Sequence, residues 1–428
     1  MKLPHPLRAL RSRNYRLFFA GQLVSLIGSW ITIVATSWLV YRLSQSSVEL
    51  GLVNFVGQIP LVILMPVAGV LVDRWDLKRT LMGTQILSMI QSALLAILVI
   101  TNVISIPMIF ILSAFQGLVN SFDMPARQSF VYSIIEHPSD LSNAIALNSS
   151  VFNAARLIGP AIAGIIIAAF GEGICFAIDA VSYLAVIWAF TVMKTPKREV
   201  KVSSEHLLAD LLTGLRYVTN FPPILAILLL TATIGFAGMP YMVLMPVFAK
   251  EILHGNAATL GLLTGSAGLG ALLGGILLAS RKSVLGLGRV MVVAGVCFSL
   301  SLIGFSLSKT IVVSCLFLAI IGFSMINLMA SANTIIQTVV DDDKRGRVMS
   351  LFALSFMGMI PFGSICTGLI ATPDRLGPST TVTIGAIACL FGIIIFAFTL
   401  PKLRGHVRPI YIRRGIIQDL TPNRPDVM

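Results

Sequence analysis

Apolar residues run along the chain in twelve long stretches, near 17–42, 50–72, 80–101, 106–124, 143–170, 174–193, 222–249, 259–280, 288–308, 311–335, 347–371 and 379–400. A helix needs roughly 20 predominantly apolar residues to cross a bilayer, and these stretches are of that order. The pattern predicts an all-α integral membrane protein with twelve transmembrane helices. Pro60, Pro66, Pro160, Pro240, Pro246 and Pro361 fall inside the stretches. Membrane helices tolerate them where neighbouring helices or polar side chains satisfy the freed carbonyls. Three stretches carry polar residues at three- and four-residue steps, which is one face of a helix. The first has Gln22, Ser25, Ser29, Thr32 and Thr36, the fourth Ser113, Gln116, Asn120 and Asp123, the tenth Ser324, Asn327, Ser331 and Thr334. Three such stripes are expected to border a substrate cavity, where helix–helix contacts alone would account comfortably for one. Phe236, Tyr241 and Met245 of the seventh stretch could add an apolar wall to it.

Composition names lipid as the solvent. Of the 428 residues, 56% are hydrophobic and 11% charged, against about 25% charged in soluble domains. The net charge of +13 would fit a nucleic-acid partner, but its distribution argues against one. With the N-terminus inside, 26 of the 31 Lys and Arg residues fall in cytoplasmic segments and only Arg42, Lys250, Lys309 and Arg375 on the other side. That asymmetry puts both termini in the cytoplasm. The first apolar run, at about 26 residues, is too long for a signal-peptide core of about 7–15, and reads as a retained helix. The five cysteines have no paired spacing, and all five histidines lie in tails or loops. No metal site, cofactor site or nucleophilic triad is indicated, so no enzyme is expected.

The longest connection, 194–221, carries Lys194, Lys197, Arg198 and Lys201 ahead of an amphipathic piece from Glu205 to Tyr217. It divides the chain into an N-terminal six-helix half (1–193), a cytoplasmic linker (194–221), a C-terminal six-helix half (222–400) and a basic cytoplasmic tail (401–428). The halves echo each other faintly: the segment from Gln128 to His137 parallels that from Asn333 to Asp342, and Gly164 and Gly368 follow at matching places. A six-plus-six repeat around a midplane site is a transporter architecture.

Between the second and third stretches stands Gly69-Val-Leu-Val-Asp73-Arg74-Trp-Asp-Leu-Lys78-Arg79. Asp73 could pair with Arg74, Lys78 or Arg79 in a gating loop that latches two helix bundles in one state and releases them in the other. The string resembles the Gly-x-Leu-x-Asp-Arg signature of the major facilitator superfamily, with Asp76 where a second Gly is usual and Leu77 where a base is common. In the fifth stretch, Ala155-Arg156-Leu-Ile-Gly159-Pro160-Ala-Ile-Ala163-Gly164 sets small residues at helical spacing, a surface for close helix packing. It is similar to the Gly-Pro motif of the superfamily's export branch, with Ala at two of its glycine positions. The run from Arg13 to Trp30, the stretch Trp38-Leu-Val-Tyr-Arg-Leu and Asp123-Met-Pro125-Ala-Arg127-Gln128 resemble the enterobactin-exporter-like secretion transporters. That likeness covers most of residues 10–190 and fades to hydropathy beyond. Many proton-coupled drug exporters place an Arg three residues before a Gln-Gly pair in helix four; here the pair is Gln116-Gly117 and Ser113 stands at the Arg position.

The resemblance implies twelve transmembrane helices in two six-helix halves, the major facilitator fold, with helices one, four, seven and ten around the path. It implies a secondary active exporter, monomeric, in the bacterial inner (cytoplasmic) membrane, moving a small amphiphilic organic molecule such as a siderophore or drug by alternating access. Protons are the expected coupling ion, because no Gly-rich loop with Lys-Ser/Thr is present for ATP. Charges inside spans are costly and mark function by default. Arg156 is the clearest, with Asp123 and Asp179 as its candidate partners. Either the set binds a substrate anion or switches with a proton, or it is a fixed ion pair that holds the N-terminal half together. An uptake permease or lipid flippase, a metal-ion exporter, and a non-transporting scaffold or sensor remain alternatives.

Overall fold

The computed structural model describes residues 5–193, 207–281, 283–342, 344–414 and 416–417. Lys194, Lys197, Arg198, Lys201 and Glu205 of the central connection lie outside them. Among the described residues every regular element is helical and twelve are long and apolar enough to span a bilayer. The N-terminal six are α1 (Arg13–Ser44), α2 (Ser47–Arg74), α3 (Leu77–Ile100), α4 (Ile106–Ile134), α5 (Leu141–Phe170) and α6 (Glu172–Val192). A connecting helix, α7 (Leu207–Thr219), leads to α8 (Pro222–Ile252), α9 (Ala257–Ala279), α10 (Leu287–Leu307), α11 (Ile311–Val339), α12 (Arg345–Ile370) and α13 (Gly377–Arg413).

Local chemistry sets many of the ends. Ser12, Ser46, Asp76 and Asn256 each accept a backbone N–H from the first turn of the following helix, satisfying donors that would otherwise be orphaned. Asp76, the departure from the superfamily signature, is thus the N-cap of α3: its Oδ1 accepts from the Arg79 N–H at 2.9 Å. The helix of α8 is interrupted by π-helical and 3-10 turns around Pro240 and Pro246, where the rings remove backbone donors. The last helix continues past 400 to Arg413, because Leu403, Val407, Ile410 and Tyr411 still have core to pack against.

Within the N-terminal half α1 packs between α5 and α6, α2 against α4, and α3 against α4 and α6; in the C-terminal half α9 and α10 pack on α11, and α10 on α13. Two seams join the halves, α5 with α9 and α2 with α12. They close only toward the face opposite the one that carries most of the Lys and Arg, hereafter the far face and the basic face. On the far side Ser47 Oγ donates to the Gly368 carbonyl (2.9 Å), Ser364 Oγ to Asn54 Oδ1 (3.0 Å) and the Tyr41 hydroxyl to Glu251 (3.1 Å). Both ends of α2 tell the same story. A Cβ on Gly51 would collide with the Ser364 and Gly368 backbones, whereas one on Gly69, at the basic end, would meet nothing within 4 Å. The molecule is sealed on the far side and parted on the basic side.

Gly51→Leu is therefore expected to wedge the far-side seam and lower the thermal stability of the purified protein, since overpacking typically costs about 1–3 kcal/mol. Gly69→Leu should leave the melting temperature near wild type. Equal shifts for both variants would contradict the one-sided closure.

Candidate substrate and coupling site

Within the N-terminal half, polar side chains thread the interface of α1, α3, α4 and α6. Asp123 sits near the basic end and is enclosed. Its Oδ1 accepts from Thr84 and Gln85 of α3, both at 2.8 Å, and its Oδ2 takes the guanidinium of Arg127 one turn on, with Nε at 3.0 Å. Arg127 also bonds Gln22 of α1. Toward the membrane centre, Gln116 donates to Ser88 and to Asn120, each at 3.0 Å. Tyr183 of α6 meets Ser29 and Ser88 and lies within the fields of both Asp123 and Asp179. Asp179, only 1% exposed, accepts from Thr32 Oγ1 at 2.8 Å and Ser92 Oγ at 2.7 Å on one oxygen. Gly28 makes the room, because a Cβ there would stand 2.6 Å from the other carboxylate oxygen. Among the described residues no cation pairs with Asp179.

Arg156 lies apart from this thread. Its guanidinium stands over the Trp30 ring of α1, 5.9 Å from the centroid. Across the seam it is close enough to Tyr241 of α8 for the two to interact electrostatically, and its backbone carbonyl abuts Gly268 of α9. The pairing expected with Asp123 or Asp179 does not occur, and α1 is the reason. Successive helical residues turn by about 100°, so Trp30 and Thr32 project from nearly opposite sides of α1. One meets Arg156 on the α5 side and the other meets Asp179 on the α6 side. Asp123 has its own arginine a turn away. Arg156 thus lies at the seam, partly exposed, with an aromatic face beside it and no carboxylate in ion-pairing range among the described residues.

Gln22 and Ser25 are buried, and Ser29 and Thr32 partly so, with Gln22 and Thr32 committed to the thread, so the helix-one stripe faces the interior of its own half. Ser113, partly buried, packs beside Gly57 where α2 and α4 cross. Ser324 and Asn327 of α11 border a lateral groove between α9 and α10, not the seam. Asp73, Arg74 and Arg79 are exposed on the basic face, while Lys78 donates to the Met193 carbonyl at the end of α6 at 2.6 Å. Gly159 packs on Trp30 and Ile27, and Pro160 and Gly164 on α9.

A sequence profile of the transmembrane secretion effector family spans residues 5–409. The chain belongs to that family. It is a multi-pass membrane transporter of the major facilitator fold, and not an enzyme. Among similar proteins, the staphyloferrin A transporter of Staphylococcus aureus is 26% identical over 400 residues, 91% of this chain and 97% of that one. The multidrug efflux pump Tap of Mycolicibacterium fortuitum is 26% identical over 389 residues, 88% and 93% of the two chains. A solved bacterial homologue of the human lysosomal transporter Spinster, inward-facing and unoccupied, matches with a TM-score of 0.68 at 13% identity, covering 94% of this chain and 98% of that one.

In this secretion effector, Thr84, Gln85, Ser88, Gln91 and Ser92 of α3, together with Arg127 and Tyr183, join the polar thread, and Trp30 faces Arg156, although the sequence did not single them out as site candidates. The α3 set recurs at three- and four-residue steps, the same signal that revealed the stripe in helix one. Removing Arg127 strands a buried carboxylate, so Arg127→Ala is expected to cost on the order of 3 kcal/mol. Asp123→Asn in the same chain should return most of that loss in a thermal-unfolding measurement. No recovery in the double variant would show that Arg127 acts through other contacts.

Proposed function

We propose that this transporter is a proton-driven exporter of an amphiphilic organic solute with an anionic group, a siderophore or a drug-like acid, working by alternating access in the bacterial cytoplasmic membrane. The observation that carries the reading is Arg156, a membrane-embedded cation at the seam between the halves, with an aromatic neighbour and, among the described residues, no carboxylate in ion-pairing range. An arginine there attracts an anion, and Trp30 offers flat apolar surface to the rest of the solute. A cationic drug would be repelled.

The basic face is cytoplasmic in this reading, which follows the concentration of Lys and Arg there, and both termini lie inside. The halves are 1–193 and 222–400, joined by the linker 194–221 and followed by the tail 401–428, and the protein works as a monomer. The shape described above then receives solute from the cytoplasm. Closure would bring the Asp73, Arg74 and Arg79 loop onto the C-terminal half and break the Tyr41–Glu251 and Ser364–Asn54 contacts on the far side.

Asp179 is the proton carrier in this scheme. A carboxylate enclosed in a membrane bundle with hydroxyl donors and, among the described residues, no cation is costly to keep charged, so it can exchange a proton as the conformation admits water. Tyr183, Ser88 and Gln116 lead from it toward Asp123 and the basic face. Coupling runs through α1, which presents Thr32 to Asp179 and Trp30 to Arg156, so proton and solute bias the same helix from opposite sides.

Two tests follow. Titrating purified protein with ferric citrate, a catecholate chelator or a cationic dye should quench tryptophan fluorescence saturably with at least one anionic chelator and not with the dye. Arg156→Ala should weaken that binding at least tenfold; a preference for the dye would overturn the anion reading. In proteoliposomes given a proton gradient, Asp179→Asn should abolish uphill movement of the bound chelator yet leave solute exchange near wild type. Undiminished uphill transport would remove Asp179 from the coupling scheme.

A further inference from the structure

A second feature, independent of the transport path, lies on the outer flank of the C-terminal half. Here α9 and α10 diverge over α11 and leave a groove of about 900 Å³. Its walls are apolar: Leu273 and Leu277 of α9, Val293 of α10 and Leu316 of α11 are each more than half exposed along it. At the basic end two arginines, Arg281 and Arg289, stand at its mouth. Both are exposed, and among the described residues neither forms an ion pair; Arg281 donates to the Leu285 carbonyl at 3.2 Å. Glycines build the floor. Gly270 and Gly274 allow the α9 backbone to lie directly on Ala319 and Phe323 of α11, so the wall of α9 sits low and the groove stays deep.

Length and charge together select the occupant. The α9 positions along the groove run from Gly270 to Arg281, roughly 16 Å at about 1.5 Å per residue. That is about half of the ~30 Å hydrocarbon thickness, the depth of one leaflet. A slot one leaflet deep, apolar along its length and doubly cationic at the membrane surface, matches an acyl chain under an anionic headgroup. Basic pockets between helices on this side of a membrane hold such headgroups.

We propose that the groove is a binding site for one anionic phospholipid of the basic-face leaflet, its phosphate held between Arg281 and Arg289 and one acyl chain laid along α9, α10 and α11. The site touches neither Arg156 nor the polar thread of the N-terminal half. Its occupancy therefore stands or falls apart from the export reading.

The test uses the full-length protein in nanodiscs of mixed phosphatidylglycerol and phosphatidylcholine, released into the gas phase for native mass spectrometry. Wild type is expected to retain one phosphatidylglycerol in preference to phosphatidylcholine, by at least fivefold over the bulk ratio. Arg281→Gln with Arg289→Gln should reduce that preference to the bulk ratio. Val293→Trp, which fills the groove with both arginines in place, should reduce it as well. Both changes lie on the exposed flank, and a far-ultraviolet spectrum checks that the helices persist. Equal retention of the two lipids by wild type, or unchanged preference in either variant, overturns the proposal. A second copy of the chain in the groove is the competing occupant. Cys297 lies in the groove and is exposed, so efficient crosslinking between Cys297 residues of two copies in lipid would equally overturn it.

Discussion

The cost of holding charge inside a bilayer organises the N-terminal half. An ionised side chain at the centre of a membrane helix is disfavoured by about 3 kcal/mol even on the mildest scale, and a stable bundle must answer each one. Asp123 is answered by Arg127, Thr84 and Gln85. Asp179 is answered by hydroxyls alone. Arg156 is answered by the face of Trp30 and the neighbourhood of Tyr241. The three solutions are different in kind. A charge that has found its counter-charge holds helices together, whereas one left with dipoles or a ring still has an interaction to offer.

That sorting rests on α1. It lies between α5 and α6 and keeps the arginine and the aspartate from meeting. Two residues along a helix separate its faces nearly completely, so Trp30 and Thr32 divide the half into a seam side and an inner side. Gly28 lets the inner side come close enough for the Asp179 carboxylate to be ringed by donors. What joins α5 to α9 and α2 to α12 is mostly glycine and small-residue contact with few hydrogen bonds. Interfaces of this kind slide and part without breaking buried ion pairs.

The twelve spans were legible from hydropathy alone, since lipid leaves a backbone few options and the runs are long. Their ends were less so: α4 and α13 run on past Pro125 and Pro401, because tertiary contacts continue where hydropathy declines. Arg156, Asp123 and Asp179 stood out as charges in apolar runs, but their pairing could not be read from span membership. It depends on which side of α1 each faces, a matter of helix rotation that hydropathy does not encode. The stripes show the same limit. Periodicity identifies a polar face, and the structure turns those of α1 and α4 into their own bundle and that of α11 partly toward a lateral groove. The polar face of α3 had the same period and was hidden only by the apolar residues around it.

The account turns on whether Arg156 serves an exported anion. The most direct measurement compares, by untargeted mass spectrometry, the spent medium and the cell contents of the source organism under iron limitation. Three strains are needed: one with the gene, one without it, and one carrying Arg156→Ala expressed in the membrane at the wild-type level. The account predicts that an anionic, iron-chelating metabolite disappears from the medium and accumulates in cells in both altered strains. An unchanged secreted profile on deletion, or full export by Arg156→Ala, would contradict it.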